Sequence, residues 1–106
     1  MAPVVLNIAY PAGSSFNKDY YLNTHMLLAV DAWKDIGGLV DWKLLTALGD
    51  NSPYDAVLQV TWESAEALGK MRSQTSPEKQ KELADDLPNY STKAPSVWVL
   101  EVQGGS

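Results

Sequence analysis

Between Asn17 and the Gly37-Gly38 pair, apolar residues recur at the spacing of one helix face, and no other stretch restricts the fold as tightly. Tyr21, His25, Leu28 and Ala32 follow an i, i+4, i+7, i+11 row, and Leu22, Met26, Ala29 and Trp33 form the row beside it. The Asn17 side chain can accept an amide hydrogen bond from the first turn. At the other end, glycine takes the left-handed conformation of a helix stop without steric cost. The spacing predicts one helix from about Lys18 to Asp35, with a broad apolar stripe that must be buried.

The flanking chain supplies a sheet to bury it. Val4–Tyr10 is rich in β-branched and apolar residues and stops at Pro11, Gly13 and two serines, which reads as a buried strand and a loop. Leu39–Leu48 and Tyr54–Glu63 are alternating runs joined by Gly49-Asp50-Asn51-Ser52-Pro53, a hairpin signature. Ser64 can cap a second helix through about Gln74, and Ser76-Pro77 restarts a short helical piece, proline being suited to the first helical position. Asp85–Tyr90 reads as an irregular loop, Ser96–Gln103 as a last strand, and residues 104–106 as a flexible tail after one domain over residues 1–103.

The order is βαββαβ, the split βαβ pattern of ferredoxin-like α+β folds, with a four-stranded antiparallel sheet and helices on one face. Leu44, Leu58 and Trp62 cannot share the helix-covered face with Leu45, Val57 and Ala47, so the second face is expected to present large apolar residues. A homodimer packed sheet against sheet is the economical cover.

Composition narrows the function classes. A chain of 106 residues has room for one core and one pocket. A net charge of -5 opposes nucleic acid and anionic lipid, whose binding rests on clustered Lys and Arg. With no cysteine there is no disulfide, thiolate metal site or cysteine nucleophile, and a single histidine with scattered carboxylates predicts no metal centre. No Gly-rich phosphate loop opens a helix, so no NAD, FAD or ATP is expected, and no cofactor at all. No apolar run reaches the ~18 residues of a membrane span and the N-terminus lacks signal-peptide character, which predicts a cytoplasmic protein.

The single histidine, His25, therefore draws the chemistry. Its imidazole, with a reference pKa of ~6.5, can exchange a proton near neutral pH and is the candidate general acid/base. Tyr21, one turn earlier on the same face, is the candidate to stabilise charge on a substrate oxygen. Tyr20 lies about 100° around the helix and ranks behind it as a substrate contact. Asn7 and Lys43, polar within apolar strands, are candidate pocket residues, although Lys43 fits a sheet edge equally well. Asp86 and Asn89 flank Pro88, and either can orient the imidazole by accepting its second N–H if their loop closes over the helix. The plain alternatives are a hydrogen-bonded core histidine, aromatic residues used only for packing, and a turn made by Asp-Leu-Pro-Asn.

Three stretches together resemble the EthD family: Phe16–Leu28 (FNKDYYLNTHMLL), Tyr54-Asp55-Ala56-Val57 with Trp62-Glu63-Ser64, and Asp86-Leu87-Pro88-Asn89-Tyr90. The double tyrosine followed by His25 is the most specific element. Asn17 stands where members often carry Asp, and Leu27 where they often carry Pro; both keep the structural role. The resemblance implies a dimeric α+β barrel with a pocket in each subunit between helices and sheet. It also implies decarboxylase, dehydratase, cyclase or cofactor-free monooxygenase chemistry. The small members of fungal type point to loss of carboxyl or water from an aromatic polyketide intermediate. A non-catalytic carrier of a hydrophobic small molecule is the reading from another class.

Overall fold

In the computed structural model, which describes residues 2–105, strand β1 (Val4–Pro11) is followed by a helical segment in three parts: α1 (Lys18–Tyr20), a π-turn (Tyr21–His25) and α2 (Met26–Trp33). Strands β2 (Leu39–Thr46) and β3 (Tyr54–Trp62), helices α3 (Ala65–Gln74) and α4 (Pro77–Asp85), a 3₁₀ turn (Leu87–Asn89) and strand β4 (Ser96–Glu101) complete the chain. The anticipated caps form: Asn17 Oδ1 accepts from the Tyr20 amide at 3.0 Å, Ser64 Oγ from Ala67 at 3.1 Å and Ser76 Oγ from Lys79 at 3.2 Å. The predicted single helix is interrupted by the π-turn and ends at Trp33, and the predicted loop after α4 contains a helical turn.

The sheet is antiparallel with order β2-β3-β1-β4, which puts β1 and β3 at its centre. This is the four-stranded ferredoxin-like α+β arrangement. Cross-strand partners share a face, so the register assigns every side chain. Val4, Leu6, Ile8 and Tyr10 face the helices together with Ala56, Leu58, Val60 and Trp62, and against them pack Tyr21, Met26, Ala29, Trp33, Leu68 and Met71. Fully buried side chains of this size each contribute roughly 1.5 to 3 kcal/mol. Trp62 Nε1 is the one sealed side-chain polar atom without a hydrogen-bond partner among the described residues.

Gly38 fixes how α3 meets the end of α2. Its φ of +88° suits glycine, and a Cβ there would lie 2.5 Å from the Ala67 Cβ. The Glu63 amide donates to the Gly38 carbonyl at 2.8 Å, which locks the same corner.

The opposite face of the sheet is more mixed than the alternation predicts. Leu45, Val57 and Ala9 form one cross-strand row there, but the next row reads Lys43, Gln59, Asn7 and Trp98. At the edge of this face, Leu100 of β4 is more than half exposed. The Val102 amide still pairs with the Pro3 carbonyl, and Gly104 and Gly105 beyond it are exposed. Met1, at the start of the expected domain, and Ser106, at the end of the expected tail, lie outside the described residues. Among the described residues no helix is long and apolar enough to cross a membrane.

Candidate active site

The π-turn sets the geometry around the histidine. In an ordinary α-helix, residues four apart are offset by about 40° around the axis, because there are 3.6 residues per turn. From Tyr21 to His25 the helix widens, and the Met26 amide reaches back to the Tyr21 carbonyl, an i→i+5 bond. Across this wider turn the two rings stack with centroids 4.9 Å apart and planes 19° from parallel. Single π-turns of this kind are frequent at functional sites.

Asp86 reaches His25 from 61 positions along the chain, at the corner between α4 and the 3₁₀ turn. Its Oδ2 lies 3.0 Å from His25 Nδ1. Its Oδ1 accepts from the Tyr20 hydroxyl at 2.5 Å and from Asn89 Nδ2 at 2.9 Å, and Asn89 also approaches the Tyr20 oxygen at 3.3 Å. The Tyr90 ring packs against both the imidazole and Tyr21, with centroids 4.6 and 4.8 Å away. His25 and Asp86 are 7% and 8% exposed, so this polar cluster sits at the margin of the core rather than on the surface.

The charge states follow from burial and partners. Burial pushes the His25 pKa below its ordinary 6.5, and this outweighs the opposing pull of Asp86. Burial also acts to raise the Asp86 carboxyl, but the hydrogen bonds from Tyr20, Asn89 and His25 win and hold it below the usual carboxylate range. At pH 7 the close contact is therefore a neutral imidazole donating Nδ1–H to a carboxylate, not an ion pair. The hydrogen bond from Tyr20 to Asp86 raises the Tyr20 pKa, so that hydroxyl remains a donor. No protein hydrogen bond engages Nε2 among the described residues, and Nε2 is not among the sealed polar atoms, so it keeps its lone pair and access to solvent.

The structure thus gathers five of the seven candidate residues, His25, Tyr21, Tyr20, Asp86 and Asn89, around one imidazole. Asp86 is the one that contacts the ring, and Asn89 donates to Asp86 instead of touching the ring. Tyr20, ranked behind Tyr21 by its angle on the helix, is the tyrosine whose hydroxyl enters the cluster. Tyr21 is 1% exposed; its hydroxyl lies 3.2 Å from that of Tyr10, and burial raises its pKa. Its face, not its hydroxyl, meets His25.

Asn7 and Lys43 are not brought to the histidine, and Lys43 takes the sheet-edge position that its sequence context equally allowed. Alternation from Leu6 and Tyr10, which face the helices, turns Asn7 to the opposite side of the sheet, where its Oδ1 accepts from Gln59 at 3.2 Å. Lys43 is exposed on edge strand β2, in the same cross-strand row. The sheet separates both from His25. Tyr90 and Tyr10 were missed as site residues. Tyr90 closes the Asp-Leu-Pro-Asn-Tyr stretch, so its place in that stretch was the available signal. Tyr10 carries none, since it reads only as the end of a strand. Phe16, Tyr10, Tyr21 and Tyr90 fill the space beside the imidazole with edge-to-face and tilted ring contacts at 4.8 to 6.0 Å. Among the described residues no three His, Cys, Asp or Glu side chains gather to hold a metal ion.

A ferredoxin-like sheet with a carboxylate-held histidine on its first helix defines the structural class of this protein. Within that class, the chain has the fold of the EthD-like proteins. It superposes on an EthD-like protein from Ralstonia eutropha with a TM-score of 0.73 at 22% identity, covering 100% of this chain and 96% of that one. An EthD family protein from Bacillus halodurans matches with a TM-score of 0.61 at 19% identity, over 97% and 100% of the two chains. SnoaB from Streptomyces nogalater, a cofactor-independent oxygenase, matches with a TM-score of 0.64 at 14% identity, over 99% and 97%. No family model and no curated protein matches the sequence.

Proposed function

We propose that this chain is a member of the EthD family that works as a cofactor-independent, homodimeric enzyme on an aromatic polyketide-type small molecule, with His25 Nε2 as its general base and acid. The observation that carries the reading is the Asp86–His25 hydrogen bond at 3.0 Å with Nε2 left open. A carboxylate on Nδ1 selects the tautomer whose basic lone pair is on Nε2 and stabilises the imidazolium that forms when Nε2 takes a proton. A histidine serving only the core would not need two further donors, Tyr20 and Asn89, to hold its partner carboxylate.

In the lyase form of the reaction, Nε2 removes a proton from a phenol or an acidic C–H to give an enolate, and the imidazolium returns it to carbon. For decarboxylation, protonation of the ring carbon bearing the carboxylate is followed by breakage of the C–C bond. The electron pair returns to the ring and carbon dioxide leaves. Dehydration or cyclisation uses the same proton traffic. Tyr21 and Tyr90 act as positioning residues through their faces on the imidazole. The structural likeness to a cofactor-independent oxygenase favours a second reading, in which the anion formed at His25 reacts with O₂.

A mass-spectrometric screen of carboxylated and hydroxylated aromatic polyketide intermediates, run with the protein and with His25→Gln, tests this. Loss of carbon dioxide or water that vanishes in the variant supports the lyase, and gain of oxygen supports the oxygenase. Undiminished turnover by His25→Gln refutes the role of His25, and binding without conversion leaves a carrier.

A further inference from the structure

Away from His25, helices α2, α3 and α4 enclose an open cavity of about 330 Å³ lined by Trp33, Met71, Arg72, Thr75, Gln80 and Leu83. Trp33 and Met71 belong to the buried core and Leu83 packs against it, so the floor is apolar. Arg72 is the single arginine of a chain with net charge -5, yet it joins none of the ion pairs among the described residues. An exposed arginine lining an apolar cavity can offer its guanidinium to a planar carboxylate, which it can grip with two parallel hydrogen bonds. The volume is near the lower end of the ~300 to 1,000 Å³ of ligand pockets and suits one or two rings.

We propose that this cavity binds a small aromatic monocarboxylate, with its rings on Trp33, Met71 and Leu83 and its carboxylate on Arg72, and that occupancy is felt at Asp86 through α4. Helix α4 has no buried residue of its own. It is held by Leu83, by the bond from Gln80 Nε2 to the Thr75 carbonyl at 2.8 Å, and by the exposed pair of Lys79 with Asp31 at 3.0 Å. Leu83 in the cavity wall is three residues before Asp86, one turn along the same helix end. A ligand that presses on Leu83 therefore moves the carboxylate that holds the imidazole. The site stands whether or not His25 is catalytic.

The full-length protein, labelled with ¹⁵N, is titrated with 1-naphthoate while the Trp33 indole, the Leu83 amide and the ring nitrogens of the single histidine are followed by NMR. Saturable shifts at Trp33 and Leu83 are expected, with a change at His25 that saturates together with them. Arg72→Gln, on an exposed position, should weaken binding at least fivefold, as should replacing the acid by neutral 1-naphthalenemethanol, and Leu83→Phe should weaken it by filling the space. Absence of saturable shifts, equal affinity in Arg72→Gln, or shifts centred on His25 alone would overturn the site. Saturation at Trp33 and Leu83 with an unchanged His25 would overturn the coupling to Asp86.

Discussion

Replacing Asp86 with Asn changes one oxygen to an NH₂ and removes the charge, and the surroundings dictate the outcome. In the native protein the carboxylate accepts from three donors, His25 Nδ1–H at 3.0 Å, the Tyr20 hydroxyl at 2.5 Å and Asn89 Nδ2 at 2.9 Å, and an amide has only one accepting oxygen. If the NH₂ turns toward His25, the imidazole must present a lone pair at Nδ1 and carry its proton on Nε2, which abolishes the base. If the NH₂ turns toward Tyr20 and Asn89, donors oppose donors, at a cost of about 1 to 3 kcal/mol. A charge-assisted hydrogen bond of ~1.5 to 3 kcal/mol favours the native Nδ1–H tautomer roughly tenfold to hundredfold. With that preference gone, conversion of substrate should fall by about 10² to 10⁴, the usual worth of general acid–base catalysis. The tautomer needs no substrate to observe, because the ring nitrogens of a single histidine give an unobstructed ¹⁵N–¹H correlation spectrum. The native protein should show the pyrrole-type nitrogen at Nδ1, and the variant should lose that dominance. A native His25 carrying its proton on Nε2 would refute the reasoning at its root.

Tyr20→Phe removes the shortest donor to Asp86 and should lower conversion about tenfold and shift its pH profile, whereas an unchanged profile would make Tyr20 a bystander. Acid should destabilise the fold in two stages. His25 has a folded pKa below its unfolded one, so the unfolded chain binds the extra proton and the stability is lost as pH falls through ~6.5. Asp86 is also lowered, so its contribution is present above ~3.9 and is lost below that. Urea titrations from pH 7.5 to 5 should show the first loss in the native protein and not in His25→Gln. Gly38→Ala should cost at least ~2 kcal/mol in the same assay, because it combines a left-handed backbone with a Cβ against Ala67. Val57→Lys places a charge in the apolar row of the open sheet face. It should reduce the sedimenting species from twice 11.6 kDa to 11.6 kDa, and a native protein that is already monomeric would remove the homodimer from the proposal.

The elements themselves were legible because each has a local cause. Asn17, Ser64 and Ser76 cap the helices anticipated for them, and the Gly49–Pro53 turn formers separate β2 from β3. The π-turn was not legible, since Tyr21–His25 contains no glycine or proline to mark an irregular turn, and the rings of Tyr21, His25 and Tyr90 meet only in the folded chain. The same packing exchanged the expected parts of the two tyrosines. Position on a regular helix gives Tyr21 the histidine's face, while the distant Asp86 decided that the Tyr20 hydroxyl should be the one used.

Periodicity, caps and turn residues act over a few positions, so the sequence by itself determined the βαββαβ order and put a single histidine on the apolar face of the first helix. Only the tertiary structure could bring Asp86 across 61 positions to Nδ1. It also sent Asn7 and Lys43 to the far side of the sheet, because strand alternation assigns a face only once the register with neighbouring strands and the placement of the helices are known.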